Sequence, residues 1–96
     1  MKLAKDEVKA RLAAMKGWKL DDGEIEKKYK FKDFKESMLF VNAVARQAEA
    51  VNHHPEIEIH YNVVEIGLST HSEGGLTEKD FSLAAQIDNV AAGTTA

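Results

Sequence analysis

Apolar and polar residues along the 96-residue chain change period several times, and each change predicts an element. Val8, Leu12 and Met15 recur at helical spacing within residues 5–16, and Asp6 and Glu7 stand where acidic side chains suit a helix N-terminus. Gly17 ends that helix. Trp18–Asp21 opens a short strand, and Asp22-Gly23 is a hairpin signal, because glycine accepts the positive φ of such turns. Ile25, Lys27, Tyr29 and Phe31 then alternate with Glu24, Glu26, Lys28 and Lys30, the period of a half-buried strand.

The longest helix is predicted from Phe34 to about Val51. Phe34, Met38, Val41, Ala45 and Ala48 form its apolar stripe, widened by Leu39 and Val44. Pro55 is expected to end it, since the residue before a proline is pushed out of helical conformation. Two strands follow. Ile57, Ile59 and Tyr61 alternate with Glu58 and His60, and Val64, Ile66, Leu68 and Thr70 alternate with Glu65, Gly67 and Ser69. Gly74-Gly75 breaks the chain, and a last helix from Thr77 to about Val90 carries Phe81, Ala84, Ala85 and Ile87. Residues 92–96 are expected to fray. The predicted class is α+β, in the order α-β-β-α-β-β-α, with an antiparallel sheet covered by helices on one side.

Composition narrows what such a chain does. With 44% hydrophobic residues, 1–96 is read as one domain with one core. A chain this short buries roughly two-thirds of its unfolded surface, so association between copies is a natural supplement. The net charge of −3 lacks the basic excess of nucleic-acid binders, and no direct nucleic-acid partner is expected. Without cysteine there are no disulfides, thiolate nucleophiles or cysteine zinc sites. MKLAKDEVKARL carries a charge every few residues and does not read as a signal peptide. No run approaches the roughly 18 apolar residues of a membrane span. The expectation is a cytoplasmic protein without a membrane partner.

The candidate chemistry gathers in Asn52-His53-His54-Pro55-Glu56, which holds two of the four histidines and the single proline. Three readings compete. Histidine is favourable against the negative end of a helix dipole, so the pair suits a plain polar helix end. A metal site would have to join His53, His54 and His71, although adjacent histidines diverge where helical zinc pairs sit at i and i+4. Acid–base chemistry needs no metal, because imidazoles titrate near physiological pH. Glu49 lies four residues before His53, placed to orient its ring if the helix reaches that far. His71 ends the last strand, and three imidazoles meet in one cleft if that end packs near the end of the long helix. Thr77-Glu78-Lys79-Asp80 also reads as a capping box with Asp in place of Glu. Trp18 reads as core or interface, and His60 as an outward, non-catalytic residue of the sheet.

These residues resemble the pterin-4a-carbinolamine dehydratase family, also called 4a-hydroxytetrahydrobiopterin dehydratases. The motif is a polar residue, three residues, His-His-Pro, five residues, an aromatic, nine residues, His, and an Asp about eight residues on. Glu49, His53-His54-Pro55, Tyr61, His71 and Asp80 meet every spacing. Gly17-Trp18, Phe31-Lys32-Asp33-Phe34, Tyr61-Asn62, Ser69-Thr70-His71 and Gly75-Leu76-Thr77 agree with it, and the similarity spans about residues 8–91.

The resemblance implies a four-stranded antiparallel sheet with three helices on one face, association as homodimers or homotetramers, and no metal or cofactor. The implied reaction is loss of water from a 4a-hydroxy-tetrahydropterin to give quinonoid dihydropterin, in recycling of a tetrahydrobiopterin-type cofactor. The implied acid, base and positioning groups are His53, His54 and His71. Pro55, Thr70, Ser72 and Glu73 would line the pterin, with free backbone groups of 70–73 on its flat edge, and Glu49, Asn52 and Asp80 would stand behind the histidines. Asn52 departs from the Asp of several relatives and supplies no charge, and Ile57 replaces a common aromatic. Animal relatives also serve as dimerisation cofactors of a homeodomain transcription factor, so the alternative is a binding module that needs no catalysis.

Overall fold

The computed structural model describes residues 1–95. Its elements are α1 (Lys5–Ala13), β1 (Lys19–Asp21), β2 (Glu24–Lys30), α2 (Phe34–Val51), β3 (Glu56–His60), β4 (Val63–Leu68), a 3₁₀ turn (His71–Glu73) and α3 (Glu78–Thr95). The strands form one antiparallel sheet in the order β1-β2-β4-β3. The predicted class and element order are those observed.

Register explains the sheet's two faces. Ile25 pairs with Leu68, Lys27 with Ile66 and Tyr29 with Val64, which places one apolar row of β2 beside one of β4. Val8 of α1, Phe40 and Val44 of α2, and Phe81, Leu83, Ala84 and Ile87 of α3 close over that face in a single core. On the opposite face Glu26 pairs with Gly67, and Gly67 with Glu56. Asp22 and Gly23 turn the β1–β2 hairpin with φ of 50° and 79°, as the Asp-Gly pair predicts.

Trp18 belongs to the core, and its indole N–H donates to Asp88 at 3.1 Å. Lys27 Nζ and the Tyr29 hydroxyl donate to the other oxygen of Asp88, fastening β2 to α3. Burial first, and then that carboxylate, raise the Tyr29 phenol above its ordinary pKa.

Three expectations change. Helix α1 stops at Ala13, not residue 16, because Ala14 and Met15 bond back to Arg11 and Leu12 in a tightened last turn before Gly17, at φ 87°. The buried stripe of α2 is Ser37, Phe40, Val44 and Ala48, whereas Phe34 and Leu39 face solvent. Phe40 sets this rotation, with its ring 4.8 Å from Tyr29 and 4.9 Å from Phe31. Ser37 is tolerated inside because its hydroxyl donates to the Asp33 carbonyl at 3.1 Å. Helix α3 runs on to Thr95, so 92–95 are helical where fraying was expected, while Ala96 lies outside the described residues. Within α3, Leu83 is buried and Ala85 exposed.

Candidate active site

The end of α2 directs the two histidines apart. Asn52 adopts the left-handed conformation at φ 50°, ψ 45°. The His53 amide reaches the Ala48 carbonyl at 3.1 Å and the Asn52 amide reaches Glu49 at 3.3 Å, which is a Schellman ending. The helix is therefore stopped three residues before Pro55, which instead precedes β3, and the proline is not the terminator. Asparagine is among the few residues besides glycine that occupy this conformation readily, so backbone shape is the visible role of Asn52.

Leaving helical register at Asn52 breaks the expected Glu49–His53 pairing. Glu49 Oε2 instead meets His54 Nε2 at 2.5 Å, in an exposed pair whose side chains are 75% and 56% accessible. His53 turns inward. Its Nε2 lies 2.6 Å from Asp80 Oδ1, with the His53 side chain 12% and Asp80 0% accessible.

Asp80 joins three elements. Its Oδ2 accepts the Thr70 hydroxyl at 2.8 Å and the Thr77 amide at 2.9 Å, while the Thr70 and Thr77 hydroxyls lie 2.9 Å apart. The bond to the Thr77 amide is the reciprocal bond of a capping box, and Thr77 Oγ1 accepts the Lys79 amide at 3.3 Å. Asp80 therefore caps α3 and holds His53 at once. Arg11 grips Glu78 in the same turn with two guanidinium nitrogens and holds that carboxyl below its ordinary pKa.

His71 begins the 3₁₀ turn after Thr70 and lies 3.4 Å from the Ser69 hydroxyl. Thr70 does not offer the free backbone expected of it. Its amide donates to Gly75, and its carbonyl accepts from Glu73 and Gly75. The amides of His71 and Ser72 meet no acceptor among the described residues. Glu73 pairs with the Met1 ammonium at 3.2 Å, Ser72 is exposed, and Pro55 is half-buried beside the histidines.

His53 and His71 each line a concavity. His53 opens on a cleft of about 340 Å³ between α2 and α3, lined by Gln47, Val51, Ser82 and Leu83. His71 lines one of about 470 Å³ with Ser69, Gly74, Glu24 and Glu56. The connection is made through side chains instead, since Thr70, beside His71, is bonded to the carboxylate that holds His53. Asp80 and Thr70 thus link the His53 ring to the chain beside His71, while His54 stands exposed on Glu49. Among the described residues, no three His, Asp or Glu side chains are grouped as metal ligands. His60 stands exposed on β3, 3.4 Å from Glu58, apart from this network.

Thr77 escaped sequence reasoning as a member of this network. Its place three residues before Asp80 signalled a cap, but nothing local signalled that its hydroxyl would meet Thr70 across the 3₁₀ turn.

The α+β fold thus holds two adjacent histidines on separate carboxylates. The chain belongs to the family described as pterin 4 alpha carbinolamine dehydratase, whose sequence pattern matches residues 1–90. A relative from Sulfolobus acidocaldarius, provisionally named pterin-4-alpha-carbinolamine dehydratase, is 46% identical over 90 residues, covering 94% of this chain and 99% of the relative. One from Acidobacterium capsulatum with the same provisional name is 51% identical over 81 residues, covering 84% and 88%. The crystal structure of a transcriptional coactivator/pterin dehydratase from Brucella melitensis superposes with a TM-score of 0.91 at 38% identity, covering 95% of this chain and 99% of that one.

Proposed function

We propose that this protein dehydrates a 4a-hydroxy-tetrahydropterin to the quinonoid dihydropterin by histidine acid–base catalysis, in recycling of a reduced pterin cofactor in the cytoplasm. The carrying observation is the pair of adjacent histidines, each on its own carboxylate at 2.6 and 2.5 Å, in a chain of this family. The reaction breaks the C4a–O bond, delivers a proton to the departing oxygen and removes one from a ring nitrogen, so water leaves and the electron count is unchanged. His53, His54 and His71 fill the donor, acceptor and positioning roles, a contribution of about 10²–10⁴-fold for a placed acid or base. Pro55, Ser72, Glu73 and the open amides of His71 and Ser72 would receive the pterin, and Asp80 and Glu49 would hold His53 and His54.

Association of copies belongs to the same proposal. Strand β3 is an outer strand of the sheet, with Ile59 exposed on it and Tyr61 exposed in the turn just after it, an arrangement that favours edge-to-edge pairing into a homodimer. A homotetramer would use further surface, and the exposed Phe34 and Leu39 of α2 offer it. Those exposed apolar side chains of α2 also favour the second reading, a protein-binding module.

The test is direct. Purified protein is expected to accelerate dehydration of a 4a-hydroxy-tetrahydropterin, to keep its activity after chelation, and to lose at least about tenfold in His54→Ala or His71→Ala. Unchanged turnover in both variants would remove the catalytic assignment. A partner retrieved equally by wild-type and histidine-less protein would favour the binding module.

A further inference from the structure

We infer that His53 works through Nδ1, and that Thr77 and Thr70 are the positioning residues that fix it there; the inference rests on the dehydratase reading. The protons around Asp80 are fixed by the donors available to it. A threonine hydroxyl has one proton to donate. Thr70 donates its proton to Asp80 Oδ2, so the 2.9 Å contact between the hydroxyls must use the proton of Thr77. Thr77 Oγ1 in turn accepts the Lys79 amide, and the Thr77 amide donates to Asp80 Oδ2. The chain of donation runs one way, from Lys79 through Thr77 and Thr70 into the carboxylate.

Oδ2 is thereby filled by two donors, and Oδ1 is the oxygen left for His53 Nε2, at 2.6 Å. A carboxylate oxygen accepts, so the shared proton sits on Nε2. The hydrogen bond at one ring nitrogen decides the state of the other, which leaves the Nδ1 lone pair of the neutral ring unprotonated. No hydrogen bond is made by Nδ1 among the described residues, where no buried side-chain nitrogen or oxygen lacks a partner. Nδ1 therefore reaches solvent, on a residue that lines the cleft between α2 and α3. Because Thr70, Thr77 and Asp80 are all buried, the carboxylate has no room to rotate and offer a different geometry. Nδ1 takes a proton in the neutral ring, and returns it from the imidazolium, at a position set by two buried hydroxyls.

Long-range ¹H–¹⁵N correlation spectra of the full chain, recorded across a pH series beside dehydratase kinetics, test this. The neutral His53 ring is expected to carry its proton on Nε2. Thr70→Val, which keeps shape and removes the donor, is expected to mix the two tautomers and lower kcat about tenfold with KM within about twofold. Thr70→Ser is expected to restore both the spectrum and kcat. A wild type that is active with the His53 proton on Nδ1 overturns the inference and leaves the dehydratase reading standing. So does a folded Thr70→Val with the wild-type spectrum and kcat. A wild type without dehydratase activity overturns both. Should Thr70→Val fail to fold, the wild-type spectrum still decides.

Discussion

His53 and His54 are neighbours in sequence, and each places Nε2 within hydrogen-bonding distance of a carboxylate, yet they sit in opposite physical settings. The His53–Asp80 pair is nearly sealed from water and tied to two threonines, whereas His54–Glu49 stands in solvent. In water a charge pair is screened and pays the entropy of fixing two side chains, so its net contribution is small. Away from water the same contact cannot be given up without stranding its partners. Contact distance therefore says little about weight, and burial decides it. The His53 side forms a rigid anchor shared by α2, α3 and the His71 turn, while the His54 side is an adjustable group at the surface.

The strongest attack on that contrast is to delete each carboxylate. Asp80→Ala strands the Thr70 hydroxyl, the Thr77 amide and His53, and is expected to lower the unfolding free energy by about 3–5 kcal/mol in urea titrations. Glu49→Ala is expected to cost less than about 1 kcal/mol. Equal losses would erase the distinction between the two pairs.

A second variant acts on the residue that separates the histidines. Asn52→Val forces a β-branched side chain into the left-handed conformation and is expected to cost about 1–2 kcal/mol, with Asn52→Gly near neutral. Thermal melts that rank valine equal to glycine would show that the Schellman ending does not depend on this conformation.

The smallest effect concerns a carboxyl of the concavity that His71 lines. Glu24 is pushed up to about 7, first by burial, then by its hydrogen bond with Glu26 and by the charges of Glu56, Glu26 and Asp21. Folded Glu24 keeps its proton at higher pH than unfolded Glu24, whose ordinary value is 4.5. The stability it lends is complete below about pH 4.5 and is lost as pH rises through about 7. Glu24→Gln should therefore gain on the wild type between pH 5 and pH 8. Solvent screening limits that gain to about 0.5 kcal/mol, or about 2–4 °C in Tm. Melting curves that run parallel across this range would contradict it.

Much of this architecture was legible from spacing. The Asp22-Gly23 turn, the alternation in β2 and β4, and the limits of α2 all follow from local rules, because each is set by residues within one turn of the chain. Rotation of α2 was not, since the stripe through Phe34, Met38 and Val41 and the stripe through Ser37, Phe40 and Val44 are both apolar enough. Contact of Phe40 with the sheet, a long-range fact, chooses between them. The site divides in the same way. Its histidines and carboxylates were visible as residue types, but their pairing was not. A single left-handed residue at Asn52 shifts the histidines out of helical register, giving Glu49 to His54 and leaving His53 for Asp80. The bond between the Thr70 and Thr77 hydroxyls joins two sides of a loop that no periodic pattern connects.

The decisive rate is the dehydration of a 4a-hydroxy-tetrahydropterin, followed by stopped-flow absorbance with wild type and with His53→Ala. Acceleration by the wild type that falls at least about tenfold on loss of the imidazole is the predicted result. A wild-type rate no faster than the uncatalysed one, or a His53→Ala rate equal to the wild type, would contradict it.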